Sequence, residues 1–190
     1  MVILEENKQR MIENAVRDIL TAVGEDPNRP GLVETPARVA RMYAEVFSGL
    51  NTTFDDYKLF ESTSQTEMVV VKDIHFYSMC EHHLLPFFGL VHIAYIPAEA
   101  KVIGLSKLPR LVEHCARRPS VQENLTEMIG QELAAHIPLK GVAVVIEAEH
   151  LCMAMRGVRS PQSRTKTFYY SGCFQSDRDL KTDFLQAIQG

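Results

Sequence analysis

Two short pairs of metal-ligand residue types lie far apart in this chain, and any fold it adopts has to answer for both. Cys80-Glu81-His82-His83 offers a thiol and an imidazole within one tight turn, and His150-Leu151-Cys152 offers a second such pair. Two sulfurs and an imidazole form a soft donor set that suits Zn²⁺. Structural zinc sites close with four protein ligands, whereas catalytic sites keep three and leave a position for water. Neither pair carries a further Cys or His at knuckle spacing, as paired C-x-x-C motifs would. The pattern therefore points to a metal that does chemistry. A lone Cys-x-x-His is a weak motif, and a free cysteine is often a plain buried residue; the second pair is what gives the first its weight. A Cys80–Cys152 disulfide is the competing reading, and it leaves the adjacent histidines without a role.

The run from Gly141 to His150 is rich in β-branched residues and reads as a strand. Residues two apart on a strand face the same way, so His150 and Cys152 are expected to project together into one site. Across Cys80-x-x-His83, two intervening residues let both side chains reach one ion over a turn. His82 is expected to point elsewhere, free for proton transfer, although spacing alone does not separate His82 from His83 as the ligand.

Apolar residues from Met11 to Val23 recur at helical spacing and predict an amphipathic helix from about Glu5 to Val23. Thr35-Pro36 predicts an N-cap and first turn for a second helix that stops near Gly49. Residues 51–65 read as polar and irregular. Strands are then expected at 68–72 and 88–96, helices at 106–117 and 121–136, strands at 141–155 and 166–174, and a closing helix at 177–188. This order predicts an N-terminal helical extension over 1–65. It is followed by an α+β domain over 66–190, with an antiparallel sheet and two helices on one face.

A net charge of −4 argues against a nucleic-acid or membrane-surface partner, so any anion site must be a local cluster. Four cysteines at irregular spacing do not resemble a secreted disulfide framework, and a cytoplasmic location is expected. The N-terminal apolar stretch is too short for a signal peptide, and no run approaches a membrane span.

Four local clusters could hold anions or bases. Ser106-Lys107-Leu108-Pro109-Arg110 opens a helix with Ser106 as the expected N-cap. Cations in a first turn oppose the helix dipole, and a bound phosphate would offset that; the alternative is a solvated, slightly unfavourable pair. Arg156, with Arg159, Arg164 and Lys166 behind it, could clamp phosphate oxygens or could be a solvated loop. Arg38 and Arg41 are weaker candidates of the same kind. Gln122-Glu123 begins a helix, where a glutamate is expected from the dipole alone. A carboxylate there could also accept the N1–H and 2-amino donors of a guanine edge. Cys115 and Cys173 read as small core residues, and His75, His92, His114 and His136 as ordinary side chains.

The segments Tyr77–Gly89, Gly104–Leu108, Ala116–Glu123 and Glu149–Gly157 closely resemble type I GTP cyclohydrolase I, and Glu34–Leu50 is similar to its N-terminal helix segment. The resemblance runs from about Thr35 to Leu185. It implies a T-fold whose sheets join between subunits into a barrel, and a homodecamer of two face-to-face pentamers. The implied activity is hydrolysis of GTP at C8 of guanine, with loss of formate and rearrangement to 7,8-dihydroneopterin triphosphate on the way to tetrahydrofolate or related pterins. It also implies Zn²⁺ on Cys80, His83 and Cys152, and proton handling by His82 and His150. Gln122 and Glu123 would read guanine, and Ser106, Lys107, Arg110, Arg156 and Arg38 would hold the triphosphate. Ser120, Asn124, Pro109 and Cys173 depart from the family pattern without touching a proposed ligand. Two rivals are a deazaguanine nitrile reductase, which relies on a cysteine thioimide and NADPH, and a non-catalytic zinc scaffold, which predicts a fourth protein ligand.

Overall fold

In the computed structural model, which describes residues 4–62 and 68–189, the chain divides into two compact units, Met1–Asn51 and Thr52–Gly190. The boundary expected at 65/66 lies outside the described residues. The first unit holds α1 (Glu6–Ala22) and α2 (Thr35–Val46). α2 packs along Pro36, Ala40 and Ala44, an i, i+4 stripe of small residues. Thr35 is the first helical residue and not the cap expected of it. Glu34 holds the cap position in a helical conformation, with no side-chain cap bond.

The second unit runs β1 (Leu59–Glu61), β2 (Val69–Cys80), β3 (Pro86–Pro97), β4 (Lys101–Ile103), α3 (Lys107–Ala116), β5 (Pro119–Ser120), α4 (Gln122–His136), β6 (Leu139–His150), α5 (Leu151–Ala154), β7 (Thr165–Gly172), α6 (Cys173–Ser176) and α7 (Arg178–Ile188). β1 and β4 form a small antiparallel ribbon; β1 lies inside the segment 51–65 read from sequence as irregular, and no strand was expected at β4. The main sheet has the order β5-β2-β3-β6-β7, antiparallel throughout except for the short β5, which lies parallel to the end of β2.

β2 is much longer than expected because a bulge between Val71 and Ile74 breaks its alternation. Asp73 sits there at φ 61°, and its amide donates to Nδ1 of buried His92 at 3.1 Å. Two polar residues in mid-strand hid the strand from its pattern.

β6 is apolar on both sides, as strands covered on both faces are. On one face α3 and α4 bring Leu108, Leu111, Val112, Leu125, Ile129 and Leu133 against Phe76, Val91, Ile93, Val142, Val144 and Ile146. On the other face Phe174 and Phe184, from α6 and α7, cover Ala94, Ala143 and Val145. The α+β layout with two helices on one face is therefore present, and the closing helix covers part of the opposite face. Asp177 caps α7 by accepting from the amides of Asp179 (2.9 Å) and Leu180 (3.1 Å).

α4 approaches β7 closely at Gly130, where an added Cβ would lie 2.1 Å from the Tyr169 ring. Gly130→Ala is expected to lower stability by about 1–3 kcal/mol through overpacking. Chemical denaturation reads this as an earlier midpoint; an unchanged midpoint would mean that the ring swings aside freely.

Candidate active site

The β2–β3 hairpin carries the first ligand pair. Its turn is closed by the Cys80 amide donating to Leu85 O (2.9 Å) and the Leu84 amide donating to Cys80 O (2.8 Å). Leu84 takes the left-handed region at φ 50°, a conformation that costs a non-glycine residue energy and that the two closing bonds hold in place. From a second side, the Glu81 amide donates to Ser120 O at 3.1 Å. That bond and the β5–β2 pairing place the start of α4, with Gln122 and Glu123, beside the turn.

Sheet register then brings in the second pair. Met79 pairs with Pro86 across the hairpin, and Phe87 pairs with His150 on β6. The end of β6 therefore meets the sheet just past the Cys80 turn. Here the structure corrects the sequence reading, because β6 stops at His150 and Cys152 sits in the single-turn helix α5. His150 and Cys152 do not share a strand face. The helical turn swings the Cys152 thiol toward Cys80 and His83, and the ligand atoms of these three residues all lie within 4.8 Å of one another.

Zinc fits this group. A tetrahedral ion bound by sulfur and nitrogen needs an S···N separation of about 3.6 Å, and Cys80 Sγ lies 4.0 Å from His83 Nδ1. Burial first, and then the neighbouring Cys80 sulfur, push the Cys152 thiol above its ordinary pKa; a divalent cation between the two sulfurs reverses both effects. All four cysteines are free thiols, and the group has three protein ligands among the described residues, one fewer than a structural site needs.

His82 does not point away from Cys80 as expected. The chain is turned there, not extended, and His82 Nδ1 lies 3.9 Å from Cys80 Sγ. The position of Cys152 is what selects His83 for the group. The His82 side chain remains 65% exposed, open to a ligand entering from solvent.

His150 is held by two contacts. Its ring stacks on Phe87 at 4.8 Å between centroids and 2° between planes. Its Nε2 donates to Gln122 Oε1 at 2.8 Å. The amide orientation of Gln122 follows from its surroundings, because Gln122 Nε2 donates to Ile146 O, Thr165 O and Thr167 Oγ1, each at 3.0 Å. With the amide oxygen thus facing His150, Nε2 carries the proton and Nδ1 is the free nitrogen. Burial lowers the His150 pKa, and the nearby Glu123 charge works in the opposite direction. Gln122 is itself 1% exposed, and both ends of its side chain are engaged within the protein. Glu123, by contrast, is exposed in the first turn of α4.

The basic residues separate into four groups. Arg156 Nη1 donates to His83 Nε2 at 3.1 Å, which places it at the edge of the ligand group. Lys107 and Arg110 converge on Asp56, a residue the sequence reading passed over. Arg164 and Lys166 pair with Glu149 (3.4 Å) and Glu147 (2.8 Å) of β6 and do not extend the Arg156 cluster. Ser106 precedes α3 in a helical conformation and makes no side-chain cap bond, contrary to expectation; its hydroxyl is exposed. Arg38 stands on α2, in the first unit, ion-paired with Glu34 at 2.5 Å.

The GTP cyclohydrolase I family model matches residues 12–189. The chain is 63% identical over 187 residues to GTP cyclohydrolase 1 of Enterococcus faecalis, covering 98% of this chain and 100% of that one. It is 60% identical to GTP cyclohydrolase 1 of Lactiplantibacillus plantarum, covering 97% and 98%. Among solved structures, the archaeosine synthase QueF-Like in the apo form matches 57% of this chain and 97% of its own at 17% identity and a TM-score of 0.48, a likeness too slight to carry weight.

Proposed function

Because this chain belongs to the GTP cyclohydrolase I family, we propose that it hydrolyses GTP at C8 of guanine, releases formate and forms 7,8-dihydroneopterin triphosphate, with Zn²⁺ held by Cys80, His83 and Cys152. The observation that carries this reading is the convergence of those three ligand atoms within 4.8 Å; His150, two residues before Cys152, is bonded to Gln122.

When bound, zinc supplies Lewis acidity that makes water nucleophilic near neutral pH. The remaining work falls to side chains. The Glu123 carboxylate accepts the N1–H and 2-amino donors of guanine and fixes which ring carbon faces the ligand group. His150, neutral and fixed as its Nε2–H form by Gln122, presents Nδ1 as a proton acceptor. His82, on the open side of the turn, delivers a proton to the imidazole nitrogen as the ring opens. Lys107, Arg110 and Arg156, with Ser106 and with Arg38 as a further contact, hold the triphosphate and so orient the base. A reducing cytoplasm, where thiols stay available as ligands, suits this chemistry. Among the described residues no helix is long and apolar enough to cross a membrane.

The direct test is incubation with GTP, following formate and the fluorescent pterin that appears after oxidation. Both should form one-to-one with GTP consumed. Zinc-loaded protein that releases no formate would end this reading.

Assembly belongs to the same proposal. Among the described residues, β7 pairs only with β6, and β2 has β3 on one side and β5 only along its last two residues. Both outer edges are therefore open over most of their length, and such edges invite pairing with another chain. Joining β7 of one subunit to β2 of the next is a heterologous contact that closes into a ring. We expect sedimentation to report ten chains, as two rings of five; an active monomer would exclude that assembly.

A further inference from the structure

Asp56 lies in the stretch 52–58, which has no regular structure, yet the backbone around it is tied down. Tyr57 Oη donates to Glu132 Oε2 at 2.8 Å, and the Tyr57 ring stacks on His136 with centroids 4.5 Å apart. Phe54 packs edge-on against Tyr57 and beside His114. On the other side, the Gly104 amide donates to Lys58 O at 3.0 Å. These contacts hold Asp56 over the first turn of α3. There its two carboxylate oxygens divide between two cations: Oδ1 accepts from Lys107 Nζ at 2.5 Å and Oδ2 accepts from Arg110 Nη1 at 2.8 Å.

That arrangement has the shape of a phosphate site. A lysine and an arginine converge on one two-oxygen anion at distances typical of charge-assisted bonds, at a helix N-terminus where the dipole also favours negative charge. The anion in place is the protein's own. Lys107 first and Arg110 second hold the Asp56 carboxyl below the usual carboxylate range, so it is charged at neutral pH. The Asp56 side chain is 37% exposed, so it can rotate toward solvent about its own short side-chain bonds while the pinned backbone stays put.

We propose that Asp56 is a specificity-determining residue: its carboxylate occupies the anion position between Lys107 and Arg110, and an incoming ligand must displace it. The inference rests on the reading of Lys107 and Arg110 as phosphate ligands given above. A single phosphate group that displaces Asp56 forms about the same two charge-assisted bonds that it breaks, so little net affinity results. A triphosphate carries further oxygens that reach other donors, such as Arg156, and these supply the difference. The carboxylate therefore screens out inorganic phosphate and nucleoside monophosphates while admitting the triphosphate.

The test measures inorganic phosphate and GMP as competitive inhibitors of GTP turnover, in zinc-saturated protein, for wild type, Asp56→Asn and Asp56→Ser. Both variants should bind the two inhibitors more tightly, by on the order of tenfold, as expected for removing one charge from a charge-assisted contact. KM for GTP should fall by less, so that discrimination narrows. Damage to the fold would weaken inhibitors, so tightening in either variant supports the proposal. Unchanged or weaker inhibition in both overturns it and makes Asp56 a residue that merely orients the two cations. Lys107→Ala is the separate control: if it leaves both inhibition constants unchanged, the phosphate-site reading fails whatever Asp56 does.

Discussion

Cys152→Ser is expected to empty the ligand group of zinc and to end formate release, a loss of at least about a thousandfold, because a hydroxyl replaces a thiolate poorly as a zinc ligand. Cys152 is the better first target of the two sulfurs. Cys80 is 6% exposed within the main core, and a serine there would also bury an unpartnered hydroxyl, mixing a folding defect with the loss of metal. Cys152 is half-buried on the one-turn helix, so its substitution should leave the fold intact. Zinc content by elemental analysis, thermal midpoint and formate release should be measured on the same preparation. Wild-type zinc content with near-normal turnover would remove Cys152 from the site. Chelator-stripped wild type should reproduce the variant's loss, and added zinc should restore activity only in the wild type.

Glu123→Ala should separate recognition from metal chemistry. The side chain is exposed at the start of α4 and has no part in the ligand group, so zinc content and assembly should be unchanged. GTP turnover should nevertheless fall. A pair of hydrogen bonds to a charged carboxylate is worth about 3 kcal/mol, so kcat/KM should drop by at least about a hundredfold. His82→Ala supplies the contrast, because GTP should still bind while ring opening slows for want of the proton donor. GTP binding by equilibrium dialysis, set beside formate release, distinguishes the two. Wild-type affinity and turnover in Glu123→Ala would leave Glu123 as an ordinary first-turn glutamate placed by the helix dipole.

Cys80, Cys152 and a histidine beside Cys80 were legible in the sequence as candidate metal ligands because cysteine and histidine declare their chemistry by type, and because each pair is local. The choice between His82 and His83 was not legible. Both imidazoles come within 4.0 Å of Cys80 Sγ, and a residue some seventy positions downstream decides between them. The strand face assumed for Cys152 failed for a related reason. β-branched residues mark where β6 runs, but nothing in His150-Leu151-Cys152 announces the helical turn that ends it. The partners of Gln122 were not legible either: its side-chain amide meets two backbone carbonyls, a threonine and His150, all distant in the chain. Asp56 carried no signal at all, since an aspartate in a polar stretch is unremarkable until its cations are known.

Taken by itself, the sequence determined which chemistries are available and what kinds of element carry them. The candidate donor set follows from residue type, and the strands and helices from patterns of period two and 3.6. Those properties are intrinsic to a residue and its near neighbours. The tertiary structure alone decided which groups meet. Cys152 reaches Cys80 because Phe87 pairs with His150 in one register and no other, and a slip of one residue would turn the end of β6 to the opposite face. Asp56 reaches Lys107 and Arg110 because Tyr57 and Phe54 dock on α3 and α4. Convergence of this kind depends on packing between segments distant in the chain, and that information is held by the folded whole.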